Sequence, residues 1–295
     1  IRAFRLGLAS AFLVLILCPG CEGLDLGKWI NRGKKAVDTA RKIKRAMDAT
    51  HLTPKQEHYV GRAVSARILQ QYRPYNNPAA NRYLNVLGQT LAQASDRPET
   101  YKGYRFLILD TDEVNALSAP GGFVFVTRGL LRCCQSEDAL AGILAHEIAH
   151  VQYRHGLRSI RTKRLTEVGA LLLGEAAAEA GSGDFKKLVG AFEGSIDDVA
   201  DTLINSKYSR ATEVRADQMA VVILQRLGYD PEAFGGALEA MSQRFQTDKR
   251  GFAKTHPDPA YRIRVIRKQA AASETEPLEP SPKRAARFAE AMKGV

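Results

Sequence analysis

The stretch Ala139-Leu140-Ala141-Gly142-Ile143-Leu144-Ala145-His146-Glu147-Ile148-Ala149-His150-Val151 decides how the rest of this 295-residue chain is read. Ala and Leu favour helix, no Gly or Pro lies between residues 143 and 155, and four helical residues advance about 400° and ~6 Å. His146 and His150 therefore share one face. Two imidazoles one turn apart suit a single tetrahedral Zn²⁺, and Glu147, beside the first of them, is placed to act as general base toward a water that the metal activates. The surrounding positions are apolar, so the helix is expected to be buried, and buried polar groups need partners. A metal is one such partner.

Catalytic zinc sites use three protein ligands, so a third must be sought. His155 lies five residues beyond His150, about 500° along a continued helix, which turns it some 140° off the ligand face to a surface or outer position. The spacing Gly three and His six residues beyond the second histidine, used by another zinc peptidase class, is also missing: Tyr153 and Gly156 stand there. Later acids remain. Glu213 and Asp217 are one turn apart on an expected helix with Ala220 and Leu224 on the same stripe, while Glu175 and Glu179 line up similarly with Val168 and Leu172. Spacing alone leaves both pairs open.

On either side of this helix the chain alternates helix and strand patterns. Thr53-Pro54 is a helix start, with helices expected at about 54 to 72 and 80 to 95, then strands at Tyr104 to Leu109 and at Gly121 to Val126. The class is α+β, mainly helical, with a small β-sheet beside the active-site helix. A strand beside the metal can pair with an extended substrate backbone, so Gly122, Phe123, Val124 and Phe125 are the candidate substrate strand, with the glycines admitting another backbone closely. An ordinary core strand with a Gly-rich turn is the competing reading.

The chain is 45% apolar, enough for a proper core, and carries a net charge of +11. No nucleic-acid-binding motif accompanies that charge, and the aromatic residues are not interleaved with Arg and Lys, so nucleic acid is excluded as a partner and an anionic membrane surface is favoured. Residues 1–20 read as a signal peptide: Arg2 and Arg5 precede the uncharged run Leu6 to Ile16, too short to span a bilayer, and Cys18-Pro19-Gly20-Cys21 follows. Cys21, after a small residue, is the candidate for lipidation, with ordinary cleavage or an uncleaved inner-membrane anchor as alternatives. The expected location is the periplasm, with anchoring to the outer membrane if Cys21 is lipidated. Residues 21–52 include eight Lys and Arg between 28 and 47 against Asp38 alone, a basic amphipathic linker helix suited to phospholipid or to packing on the domain. Cys133 and Cys134 are adjacent and are expected as small buried groups rather than a disulfide. A metallopeptidase domain over residues 53–272 and a flexible acidic, proline-rich then basic tail over 273–295, with a short helix as an option at its end, complete the expected organisation.

Four segments resemble the zinc metallopeptidases of the HtpX and CAAX-prenyl-protease family, in its soluble exported bacterial branch. They are Asn115-Ala116-Leu117-Ser118-Ala119-Pro120-Gly121-Gly122 leading to Val124-Phe125-Val126-Thr127-Arg128-Gly129-Leu130-Leu131, the HEIAH helix with Arg154-His155, Ser209-Arg210-Ala211-Thr212-Glu213-Val214-Arg215-Ala216-Asp217, and Thr255-His256-Pro257. Leu117-Ser118 departs from the usual Phe-Ala. The resemblance implies a zincin-like domain with one Zn²⁺ per chain held by His146, His150 and Glu213, and Asp217 orienting a ligand histidine. It also places His256 near the zinc, either as an oxyanion donor or as a fourth ligand that latches the site. Tyr208 and Arg210 are weaker donor candidates. Unfolded or extended proteins of the envelope are the implied substrates of an endopeptidase. A chaperone-like binding protein with a latched zinc site is the rival reading, against which the intact Glu147 speaks.

Overall fold

The computed structural model describes residues 53–158, 204, 207–245, 252–272 and 281–295. The signal peptide, Cys21, the basic linker and the Glu175–Glu179 pair lie outside those residues. Two helices open the described region, α1 (Pro54–Gln71) and α2 (Pro78–Gln93), each with Pro in the first turn, and Asn77 caps α2 through the Ala80 amide. Strands β1 (Arg105–Leu109), β2 (Ala116–Ala119) and β3 (Phe123–Thr127) follow, then the single turn α3 (Arg128–Leu131) and α4 (Glu137–Gln152), which carries the HExxH sequence. Farther along come α5 (Arg210–Arg226), α6 (Pro231–Phe245), α7 (Phe252–Thr255), α8 (Pro259–Ala271) and α9 (Pro282–Ala291). None of the described helices is long and apolar enough to cross a membrane.

α4 is the axis of this arrangement. Ser136 caps it, accepting from the Ala139 amide at 3.1 Å, and Glu137 and Asp138 occupy its first turn, where the helix dipole favours acids. Every residue from Ala139 to Val151 is buried, because α2, α5, α6 and the sheet pack around it. That enclosure removes solvent as a partner for His146, Glu147 and His150.

The sheet order is β1-β3-β2, with β1 parallel and β2 antiparallel to β3. β3 is thus the central strand, hydrogen-bonded on both sides, and the expectation that residues 122–125 offer a free edge to substrate is overturned. Gly121 and Gly122 serve the hairpin turn instead: their φ values are 77° and 96°, and a Cβ on Gly121 would stand 2.7 Å from the His58 Cα of α1. The close backbone approach belongs to α1. The outer edge of β1 is closed by α2, where Asn85 accepts from the Phe106 amide and donates to its carbonyl, and Asn81 accepts from the Ile108 amide. In β2 the ladder to β3 leaves Ala116 and Ser118 directing their amide and carbonyl groups outward. Among the described residues no backbone group pairs with that edge.

The 273–295 tail does end in a short helix, α9, and the correction is that this helix is packed on the domain rather than flexible. α9 lays Phe288 and Ala291 into the core, and Arg284 donates to Asp138 and to the Gly228 and Leu227 carbonyls. Arg287 binds both oxygens of the buried Glu137, which also accepts from Tyr83 and Tyr229 at 2.9 Å each. Averaged composition hid this because the arginines meet acid partners, the part-buried Asp138 and the buried Glu137, more than a hundred residues away. Burial pushes the Glu137 carboxyl up, but the bonds from Arg287, Tyr229 and Tyr83 more than offset it and leave it below the usual 4.5. A depressed carboxylate contributes stability above its unfolded pKa and loses it as pH falls. Arg287→Ala is therefore expected to cost about 1–3 kcal/mol at pH 7, by urea unfolding, with the gap from wild type narrowing between about pH 5 and 3. A gap independent of pH would contradict the role given to this contact. Cys133 and Cys134 are buried free thiols, as expected from their adjacency.

Candidate metal centre

His146 and His150 project from one face of α4, Glu213 from the first turn of α5, and His256 from the turn after α7. One ligating atom from each lies within 4.8 Å of all the others. The His146 and His150 Nε2 atoms are 3.0 Å apart, and Nδ1 of His256 stands 3.2 Å from the His146 Nε2 and 3.1 Å from both Glu213 oxygens. The Glu213 carboxylate also approaches the His150 Nε2 at 3.4 Å and the His146 Nε2 at 3.6 Å. All four groups are buried, at 2% exposure or less.

Asp217, one turn beyond Glu213 on α5, meets the His146 Nδ1 at 2.9 Å. Burial first, then the Arg262 charge, lowers the His146 pKa to about 4, so this imidazole is neutral near pH 7. With its Nδ1–H given to Asp217, its Nε2 carries a lone pair toward the centre. Arg262 on α8, which is fully buried, closes the other side: Nε and Nη2 bind Asp217 at 2.8 and 2.7 Å, and Nη1 lies 3.1 Å from Glu213. Burial pushes both carboxyls up, but Asp217 is held at about 2 by the Arg262 charge, and Glu213 well below its usual value by His256 and Arg262. For His256, burial lowers the pKa and the Glu213 and Glu147 carboxylates more than reverse it.

Glu147 faces the same space. Its Oε1 is 3.5 Å from the His256 Nε2 and is buried without a hydrogen-bond partner. Tyr208 stacks beside the centre, its ring 4.4 Å from that of His150 and 5.6 Å from that of His256. Burial and the Glu147 and Glu213 charges push its phenol pKa up, so it stays a neutral hydroxyl. Arg210 is directed away, paired with Asp258 at 2.6 Å.

Sequence reasoning missed the part played by Arg262 and left His155 between a surface and an outer position. Arg262 had no signal beyond its place on a helix after Thr255-His256-Pro257. His155 is outside the ligand set, as expected, and takes the outer position: it is buried, with its Nδ1 3.0 Å from the His150 Nδ1. The helix ends at Gln152, and Arg154 adopts a left-handed φ of 53°, so the projection of a continued helix does not apply. Burial, then the neighbouring His150 and His146, lower the His155 pKa to about 3.

Nitrogen lone pairs and a carboxylate converging in a water-excluded space repel one another unless a cation joins them. Three imidazoles and one carboxylate are the donor chemistry of zinc, and an orphaned buried carboxyl oxygen lies alongside. The donor set fits the metal, and zinc is the cofactor. A buried HExxH helix closed by a carboxylate from a later helix defines a zinc metallopeptidase. Residues 78–270 match the model of peptidase family M48, and the chain belongs to that family. It is 32% identical to the beta-barrel assembly-enhancing protease of Escherichia coli (strain K12) over 204 residues, 66% of this chain and 40% of that protein. The chain thus spans about two fifths of that relative's length. Metalloprotease YcaL of the same strain is 24% identical over 266 residues, 90% of this chain and 96% of the relative. Mitochondrial metalloendopeptidase OMA1 of Schizosaccharomyces pombe is 34% identical over 154 residues, 52% of this chain and 42% of that protein.

Proposed function

We propose that the chain is a zinc-dependent endopeptidase acting on extended or unfolded proteins of the bacterial cell envelope. The observation that carries this reading is the buried four-residue donor set beside the unpartnered Glu147 oxygen. His146, His150 and Glu213 would hold the metal, and Asp217 would orient His146. Zinc when bound supplies Lewis-acid activation of water and of the scissile carbonyl. Glu147 accepts the proton of the attacking water and returns it to the departing amine. The outward groups of Ala116 and Ser118 on β2 would pair with the substrate backbone, which brings an extended segment alongside α4. A crevice lined by Ser118, Pro120, His150 and Leu157 continues that edge.

The envelope assignment rests on the leader-like residues 1–20 and on a relative whose name refers to β-barrel assembly. Outer-membrane proteins in unfolded form present the unpaired β segments that a free edge accepts. Anchoring through a lipidated Cys21, with the basic segment after it against phospholipid, belongs to the same proposal.

The closure of the centre favours a regulated enzyme, with His256 Nδ1 occupying the fourth position. His256→Ala is then expected to raise casein cleavage several-fold, and a fall would make His256 a donor to the oxyanion instead. The rival binding-protein reading draws on the same closure. Zinc content and casein cleavage of wild type and Glu147→Gln decide between them. One zinc per chain with cleavage lost in the variant supports the peptidase, whereas zinc binding with no cleavage by wild type or His256→Ala supports the binder.

A further inference from the structure

The two imidazoles of α4 are oriented by different partners. His146 meets a carboxylate, Asp217, at 2.9 Å, whereas the Nδ1 of His150 meets another imidazole nitrogen, the Nδ1 of His155, at 3.0 Å. Two ring nitrogens at that distance share one proton: one donates and the other accepts. If the His150 Nε2 turns its lone pair to a metal, the proton of His150 must sit on Nδ1, and His155 must be the acceptor with its own proton on Nε2. We infer that His155 is the positioning residue of His150, accepting its Nδ1–H and so fixing both the tautomer and the ring orientation of that ligand. The inference rests on the proposed role of His150 at zinc.

The local fold is built to deliver this ring. A non-glycine residue in the left-handed region costs about 1 kcal/mol or more and persists only when its surroundings hold it. Arg154, at φ 53°, is held: its amide donates to the Val151 carbonyl at 3.0 Å, and its Nε pairs with the Glu57 carboxylate of α1 at 3.1 Å. Glu57 is itself buried and fixed by Arg97 through two bonds of 3.0 Å. The next residue, His155, is folded back beneath α4, 5% exposed, with the Tyr153 and Tyr208 rings at 5.4 and 6.2 Å. Its ring therefore has little freedom to turn its acceptor away.

A neutral imidazole is a weaker acceptor than a carboxylate, so His150 is the less electron-rich of the two nitrogen ligands. The pair is unsymmetrical by construction. An orienting partner of this kind is worth about 10–100-fold in metal affinity. His155→Leu, which cannot accept, is expected to weaken zinc binding by that factor in competition with a chelator, and to shift the visible absorption of the cobalt-substituted protein. His155→Asn, whose amide oxygen can accept, is expected to recover most of the loss. A purely structural role would give no such recovery.

The zinc-loaded wild type supplies a reading independent of any variant. Nitrogen-15 spectra of its six histidines should show His150 protonated at Nδ1 and His155 at Nε2. A His155→Leu protein that holds zinc as tightly as wild type, or a His155 protonated at Nδ1, overturns the inference and leaves the peptidase reading standing. A wild type that binds no zinc overturns the peptidase reading, and this one with it.

Discussion

Glu147→Gln is expected to lower kcat/KM for casein by about 10²–10⁴-fold while zinc content stays near one per chain. The side chain is 1% exposed and its Oε1 has no protein partner, so nothing nearby is arranged to hold it as a structural acceptor. The His256 Nε2 stands 3.5 Å from that oxygen. An amide of the same shape fills the space but cannot take a proton. Replacing a buried acid whose Oε1 no hydrogen bond holds should also leave stability unchanged or slightly raised, the usual consequence of relieving a functional site. Activity and stability thus move in opposite directions. Cleavage within threefold of wild type would sink the assignment of Glu147 as general base, and loss of zinc together with activity would make the residue structural instead.

Arg262→Leu should have the largest effect on folding, about 3–5 kcal/mol by urea unfolding, with weakened zinc binding. Arg262 is fully buried and makes two bonds to Asp217 and an ion pair with Glu213. Its removal strands the Asp217 carboxylate, whose pKa then rises, since burial pushes it up and Arg262 is the chief group holding it at about 2. Asp217 in turn loses its hold on the His146 Nδ1. Arg262→Lys keeps the charge but not the planar fork, so it is expected to recover only part of the loss. An unfolding free energy within about 0.5 kcal/mol of wild type for the leucine variant would show that the ion-pair network contributes no net stability. The contrast with Glu147 is physical: Arg262 is fixed by two hydrogen bonds and an ion pair, whereas the Glu147 Oε1 has no hydrogen bond among the described residues and only His256 at 3.5 Å.

Family membership sharpens these expectations without replacing them. The match to peptidase family M48 covers residues 78–270, which include His146, Glu147, His150, Glu213, His256 and Arg262.

What the sequence determined by itself was the local geometry. The HExxH spacing put two imidazoles on one face of α4, and Glu213 and Asp217 fell one turn apart on α5, because a helix maps residue spacing onto angle without reference to the rest of the molecule. Apolar flanks around His146 announced its burial for the same reason. Spacing could not choose Glu213 over Glu175 or Glu179, since the choice is one of distance between helices. Resemblance to known peptidases made it. Resemblance also put His256 near the centre, and tertiary structure alone decided three further matters. It brought Arg262 onto both carboxylates, made β2 rather than β3 the strand unpaired on one side among the described residues, and docked α9 through Arg284 and Arg287. Each depends on segments distant in sequence, or, for His155, on one residue leaving helical φ at Arg154, where periodicity stops predicting direction. Local periodicity carries no information about which distant partner will neutralise a buried charge, and at this site those partners set the chemistry.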